Sequence, residues 1–145
     1  MTDYQLTQTV IGCAMRVHSA LGPGLQESAY KECLCFEFRQ AGLFVEKEKP
    51  MPLVYADVKL GAGYRVDILV ERRLIVEVKA VAGIDDVILA QVLTYLKLAD
   101  LRLGLIFNFH VVHLRNGIRR VVNHYEDSPS SAKSSVSSAV SAFED

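Results

Sequence analysis

Residues 64–79 read Tyr64-Arg-Val-Asp-Ile-Leu-Val-Glu-Arg-Arg-Leu-Ile-Val-Glu-Val-Lys79. Two β-branched, apolar runs flank the polar triplet Glu71-Arg72-Arg73, the pattern of two strands and a turn. Asp67 and Glu77 are equidistant from Arg72. A symmetric hairpin makes them cross-strand partners, with Cβ atoms about 4.5–5.5 Å apart, where like charges repel. Side chains alternate along a strand, so Lys79 shares the face of Glu77 while Val76 and Val78 point the other way. Two carboxylates and an amine then converge between apolar strands, an arrangement that does little for stability. A divalent cation removes the repulsion. Magnesium or manganese, as Mg²⁺ or Mn²⁺, prefers oxygen ligands and needs only one or two carboxylates beside water and phosphate. A solvated salt-bridge row on an exposed sheet face accounts for the same three residues, and the residues alone leave both readings open.

The flanking sequence supplies the layers around this hairpin. Upstream, Leu6, Val10, Cys13, Ala14, Val17 and Leu21 recur at helical spacing over residues 3–21. Asp3 is placed to cap that helix and Gly22-Pro23 to stop it. A second helix is expected from about Gly24 to Ala41, then strands at Phe44–Lys49 and Pro52–Leu60, separated by proline and glycine. Downstream, residues 85–99 return to helical spacing, with Asp85 or Asp86 near the start. Strands follow at Arg102–His110, Val111–Arg115 and Ile118–Asn123, the last two joined across Asn116-Gly117, a strong hairpin turn. This order predicts an α/β fold: a three-layer α/β/α sandwich with a mixed central sheet between helices. Gln91 and Tyr95, four apart, share a face of an otherwise apolar helix. Glu27 and Tyr30, three apart, share a face of the second helix.

The chain has 145 residues, half of them apolar and 23% charged, which suits one folded domain. Its bounds are expected at residues 1–124. Eight of the fifteen residues from Ser128 to Ala142 are serine, so residues 125–145 read as a disordered tail, too poor in apolar surface to offset their ordering entropy. No apolar run reaches the roughly 18–20 residues of a membrane span. The start, Met-Thr-Asp-Tyr-Gln-Leu, lacks the basic and apolar regions of a secretory signal. Cys13, Cys33 and Cys35 form no disulfide framework and read as free, core thiols of a reducing, cytoplasmic setting. Cys33-x-Cys35 has no second Cys/His pair at zinc-finger spacing. His18, His110, His113 and His124 are too scattered to form a metal site, and His18 suits a helix-end hydrogen bond.

These motifs carry a resemblance. Gly24-Leu-Gln-Glu27-Ser-Ala-Tyr30 resembles the motif that names the GxxExxY proteins. Asp67, Glu77-Val-Lys79 and Gln91-Val-Leu-Thr-Tyr95 resemble the Asp…Glu-x-Lys…Gln-x-x-x-Tyr pattern of the PD-(D/E)XK nucleases, the superfamily that holds that family. The likeness runs from about His18 to Asn123, including Leu21-Gly-Pro-Gly-Leu25 and Gly104-Leu-Ile-Phe-Asn108. It implies a restriction-endonuclease-like sandwich and Mg²⁺-dependent hydrolysis of phosphodiester bonds in DNA or RNA. Asp67 and Glu77 would hold the metal, with the Val78 carbonyl beside them. Lys79 would orient the attacking water, and Gln91 would position Lys79 or that water. Glu27 would bind a second metal or hold the first through water. Tyr30 and Tyr95 fit supporting or packing roles.

Charge qualifies this picture. The formal net charge of −1 argues at first against a nucleic-acid partner. Residues 125–145 carry four acids and one lysine, a net of −3, which leaves +2 for residues 1–124. Without Glu27, Asp67 and Glu77 the remainder is +5, a modest phosphate-facing balance. Arg102, Arg115, Arg119 and Arg120 lie in a stretch, 101–125, that holds no acid. They form a phosphate track or guard a sheet edge. The small size leaves no separate recognition domain, so a homodimer, a protein partner or a special substrate shape is expected. It also keeps a second function open: a nuclease-fold binding or assembly module whose site is weak or unused.

Overall fold

Thr2, not Asp3, caps the first helix. Its hydroxyl accepts from Gln5 N at 3.1 Å, and Gln5 Oε1 accepts from Thr2 N at 2.9 Å, a reciprocal capping box that satisfies two otherwise orphaned N–H groups. Asp3 instead opens the first turn, where the helix dipole favours its charge. The computed structural model describes residues 1–124, so the expected serine-rich tail lies outside the described residues. Helix α1 spans Asp3–Leu21 and α2 spans Glu27–Gln40. Between them Gly22 and Gly24 hold φ of 69° and 105°, values that favour glycine, so α2 starts three residues later than the sequence reading placed it.

Strands β1 (Val45–Tyr55) and β2 (Val58–Val70) form one long antiparallel hairpin, where the sequence reading expected three shorter strands. Pro50 and Pro52 sit within β1, an outer strand of the sheet, where missing N–H donors are tolerated. The register slips between Met51 and Leu53. Across that slip, a Cβ on Gly63 would come within 2.3 Å of Leu53 Cβ. The Pro and Gly residues therefore mark a bulge and a close approach, not strand ends.

Strand β3 (Leu74–Lys79) pairs antiparallel with β2, crosses over through helix α3 (Asp86–Ala99), and pairs parallel with β4 (Leu103–Asn108). Strand β5 (Ile118–Val122) pairs antiparallel with β4. The sheet order is β1-β2-β3-β4-β5, which is the mixed sheet expected. Leu6, Val10, Val17, Leu34 and Phe38 pack with Ile68, Val76, Val78 and Phe107 on one side. Leu89, Val92 and Leu96 pack with Leu69, Ile75 and Ile106 on the other. The result is three layers with α1 and α2 on one face and α3 on the other. Cys13 and Cys35 are buried free thiols in the first of these clusters, and Cys33 packs against it.

Val111–Arg115 is not a strand, and Asn116-Gly117 is not a hairpin turn. A short 3₁₀ helix spans Leu114–Gly117. Gly117 does not carry the positive φ of a hairpin glycine. A Cβ there would come within 2.2 Å of Asn108 O, so glycine serves a close backbone approach. Asn108 ends β4 by turning its side chain onto the chain itself: Oδ1 accepts from Val81 N and His110 N, and Nδ2 donates to Val81 O.

Candidate active site

The ladder between β2 and β3 runs Val70↔Leu74, Leu69↔Ile75, Ile68↔Val76. One further step in that register puts Asp67 opposite Glu77, the pairing inferred from the turn. There the strands part, and each carboxylate fills the gap in the other strand's bonding. Glu77 Oε2 accepts from Asp67 N at 2.7 Å, and Asp67 Oδ2 accepts from Val78 N at 2.8 Å. The in–out alternation also changes phase here: Val66 packs on the α3 side, whereas Ile68 and Val70 pack on the α1/α2 side. In β1 the position opposite Asp67 is Glu48, which has a φ of 50°. Such a backbone is strained for a non-glycine residue and concentrates at functional sites.

Glu77 is 4% exposed. Burial, followed by the neighbouring charge of Asp67, pushes its carboxyl up to about 7; the Asp67 N–H, Lys79 and Lys31 pull the other way. A buried carboxyl raised by a second carboxylate beside it is the electrostatic mark of a candidate functional site. Lys79 ends β3, half-exposed, and alternation sets it on the face of Glu77. Its carbonyl accepts from Phe109 N at 2.9 Å, so its backbone is held.

Helix α2 brings two groups to this point. Glu27 Oε2 accepts from Ala80 N at 2.9 Å, which sets Glu27 against the residue after Lys79. Lys31, one turn further along, places Nζ 3.2 Å from Asp67 Oδ1 and 3.5 Å from Glu48 Oε1. Burial works against its ammonium, but the two carboxylates outweigh that and hold Lys31 above its ordinary range. Lys31 was missed in the sequence because the motif reading stopped at Tyr30. Its spacing of four from Glu27 was the available signal. Asn108, which pins the chain after Lys79 through Val81, was likewise visible only as part of an apolar run.

Tyr30 is fully buried. Its hydroxyl donates to Gly22 O at 2.6 Å and accepts from Leu25 N at 3.1 Å, and its ring stacks on Phe109 at 4.3 Å. It therefore locks the glycine corner to the chain beside Lys79. Tyr30→Phe leaves two backbone groups without their partner and should cost about 1–3 kcal/mol in urea denaturation. An unchanged midpoint would show that the hydroxyl does not brace the corner. Tyr95 stacks on Tyr64 at 4.9 Å. Burial first, then the charges of Glu77 and Asp67, raise the pKa of its phenol. Gln91 is exposed one turn earlier, toward the end of α3 that follows Lys79.

Arg120 brings three of the four arginines together: it lines one pocket with Arg102 and another, of about 340 Å³, with Arg115. Arg119 and Arg120 alternate on β5, level with Ile106 and Leu105, and so face opposite sides of the sheet. Arg102 and Arg120 line a pocket with Asp3 and Thr7 by the start of β4, the end of that strand away from Lys79. Arg115 also borders a second depression, of about 620 Å³, with His18 and His113, next to the Phe109 that contacts Tyr30 and Lys79. His18 Nε2 lies 2.9 Å from Val111 O, so its ring ties the last turn of α1 to the distant segment after β4 and not to its own helix end.

Among the described residues no three His, Cys, Asp or Glu side chains gather into a metal cluster. The interlocked carboxylate pair has the chemistry to suit a hard cation that keeps water and takes phosphate oxygens. A family model of the PD-(D/E)XK nuclease superfamily matches residues 4–121. The chain belongs to that superfamily. Membership points to a nuclease with a nucleic-acid substrate, and PD-(D/E)XK nucleases usually use divalent metals. Comparison with curated proteins and with solved structures finds no match. Among the described residues no helix is long and apolar enough to cross a membrane.

Proposed function

We propose that this PD-(D/E)XK protein, of the GxxExxY type, is a Mg²⁺- or Mn²⁺-dependent nuclease. The observation that supports this most is the interlock of Asp67 and Glu77, with Glu77 buried and held near neutrality. Asp67, Glu77 and the Val78 carbonyl would hold the cation. When bound, the cation supplies polarisation of the phosphodiester and a lowered pKa of water. Lys79 orients the attacking water and neutralises charge that develops on phosphate. Gln91 positions Lys79 or that water. Glu27 keeps the chain after Lys79 in place and adds a third carboxylate, able to hold a second cation or a water on the first. Tyr30 and Tyr95 support these groups. Arg115 and His113 extend the surface toward phosphate. With so modest a positive balance, grip on the substrate calls for a second subunit, a partner or a particular nucleic-acid shape.

Two measurements test this. Millimolar Mg²⁺ or Mn²⁺ should raise the melting temperature of the wild type and not of Asp67→Ala/Glu77→Ala; binding at ten times the Kd corresponds to about 1.4 kcal/mol. No response to metal would favour a nuclease-fold binding module. A cleavage screen over single-stranded, duplex and branched DNA and over RNA then identifies the substrate.

A further inference from the structure

We propose that Lys31 is a built-in counter-ion of the metal site, a positioning residue that competes with the divalent cation for Asp67 and so sets how tightly the site takes metal. The inference rests on the metal-site reading of Asp67 and Glu77 and goes beyond it. A lysine from α2 has no place in the Asp…Glu-x-Lys pattern, yet it makes the ion pair to the central aspartate.

The oxygens of Asp67 are already divided. Oδ2 accepts from Val78 N at 2.8 Å. Oδ1 faces the Lys31 ammonium at 3.2 Å. Lys31 therefore stands at the oxygen of Asp67 that its backbone bond leaves for a cation. Its side chain is only 14% exposed, so water screens its charge weakly, and a like charge so close opposes a second cation strongly. Glu48 adds an alternative partner, with Oε1 3.5 Å from the same Nζ. The strained backbone at Glu48, opposite Asp67, sets that second carboxylate there. The ammonium thus has a second acceptor to keep when a metal claims Asp67. Without metal, Lys31 compensates Asp67 and preserves the interlock with Glu77. With metal, its charge weakens binding, so the site fills only where metal is plentiful or where substrate phosphate adds ligands.

Mn²⁺ binding to the full chain, read from the electron paramagnetic resonance signal of free Mn²⁺, tests this without recourse to cleavage. Lys31→Met should bind Mn²⁺ about tenfold more tightly than wild type, and Lys31→Gln should do the same if methionine disturbs packing. Lys31→Arg keeps the charge and should stay near wild type. In metal-free buffer Lys31→Met should melt below wild type and recover more on adding Mn²⁺. Binding that Asp67→Asn abolishes but that both Lys31→Met and Lys31→Gln leave unchanged or weaker overturns the inference and keeps the metal site. Absence of Mn²⁺ binding in wild type and in both neutral variants overturns both.

Discussion

Lys79→Ala should abolish phosphodiester cleavage while the protein stays folded and still binds metal. Lys79 is the last residue of β3, and its fold contribution runs through the backbone: its carbonyl takes Phe109 N, and the strand pairs with β4 up to Asn108. Alanine keeps both. The side chain is half-buried at the strand end, and alanine keeps its β-carbon in place. What is lost is a cation on the face of Glu77, positioned to hold water and offset charge on the transition state. Removal of one such donor typically costs about 10²–10³ in rate, and a group that also orients the nucleophile costs at least as much. Single-turnover cleavage at saturating metal measures the loss. The melting temperature should shift little, and the metal-induced rise should persist. Cleavage at the wild-type rate would remove Lys79 from the mechanism.

Glu77→Gln should stabilise the metal-free protein at neutral and alkaline pH while it destroys metal binding. The carboxyl of Glu77 is raised from 4.5 to about 7 by burial and by Asp67. The folded state therefore holds a proton that the unfolded chain releases. The stability tied to that proton is complete below about pH 4.5 and is lost as the pH climbs through about 7. Glutamine cannot deprotonate and can still accept from Asp67 N, so the variant escapes this loss. Its advantage should be near zero at pH 4.5 and should grow to the order of 3 kcal/mol above pH 8. Chemical denaturation in a chelating buffer, repeated from pH 4.5 to 8.5, reads the difference directly. Wild-type affinity for Mg²⁺ should rise over the same interval, because proton and metal compete for one carboxylate. A variant no more stable than wild type at pH 8 would show that Glu77 is not held under charge repulsion.

Both results turn on a residue pair that could be located from the sequence. Residues 64–79 specify their own register because the turn is short and the apolar runs on either side, Ile68–Val70 and Leu74–Val76, are placed symmetrically about it. The helices α1 and α3 were legible for a similar reason: their apolar residues recur at helical spacing, and Gly22 or Asp85 marks an end. Signals that depend on context misled. Pro50, Pro52, Gly61 and Gly63 read as breaks, yet they sit in a continuous hairpin, because an outer strand tolerates lost donors and a bulge needs small residues. Asn116-Gly117 read as a hairpin turn, yet Gly117 is small to admit Asn108 O.

The site divides along the same line. The pairing of Asp67 with Glu77, and the place of Lys79 on that face, follow from alternation and symmetry within sixteen residues. Contacts that join distant segments do not. Lys31 meets Asp67 across 36 positions and Glu27 meets Ala80 across 53. Tyr30 acts on Gly22 and Phe109 rather than on the carboxylates. The run of arginines is divided by the sheet: β-strand alternation sends Arg119 and Arg120 to opposite faces, and Arg120 shares pockets with Arg102 and Arg115. Local periodicity is written by steric rules within one element. Which helix face covers which end of the sheet is decided by how the two apolar clusters close, and that packing alone delivers the second lysine to the metal site.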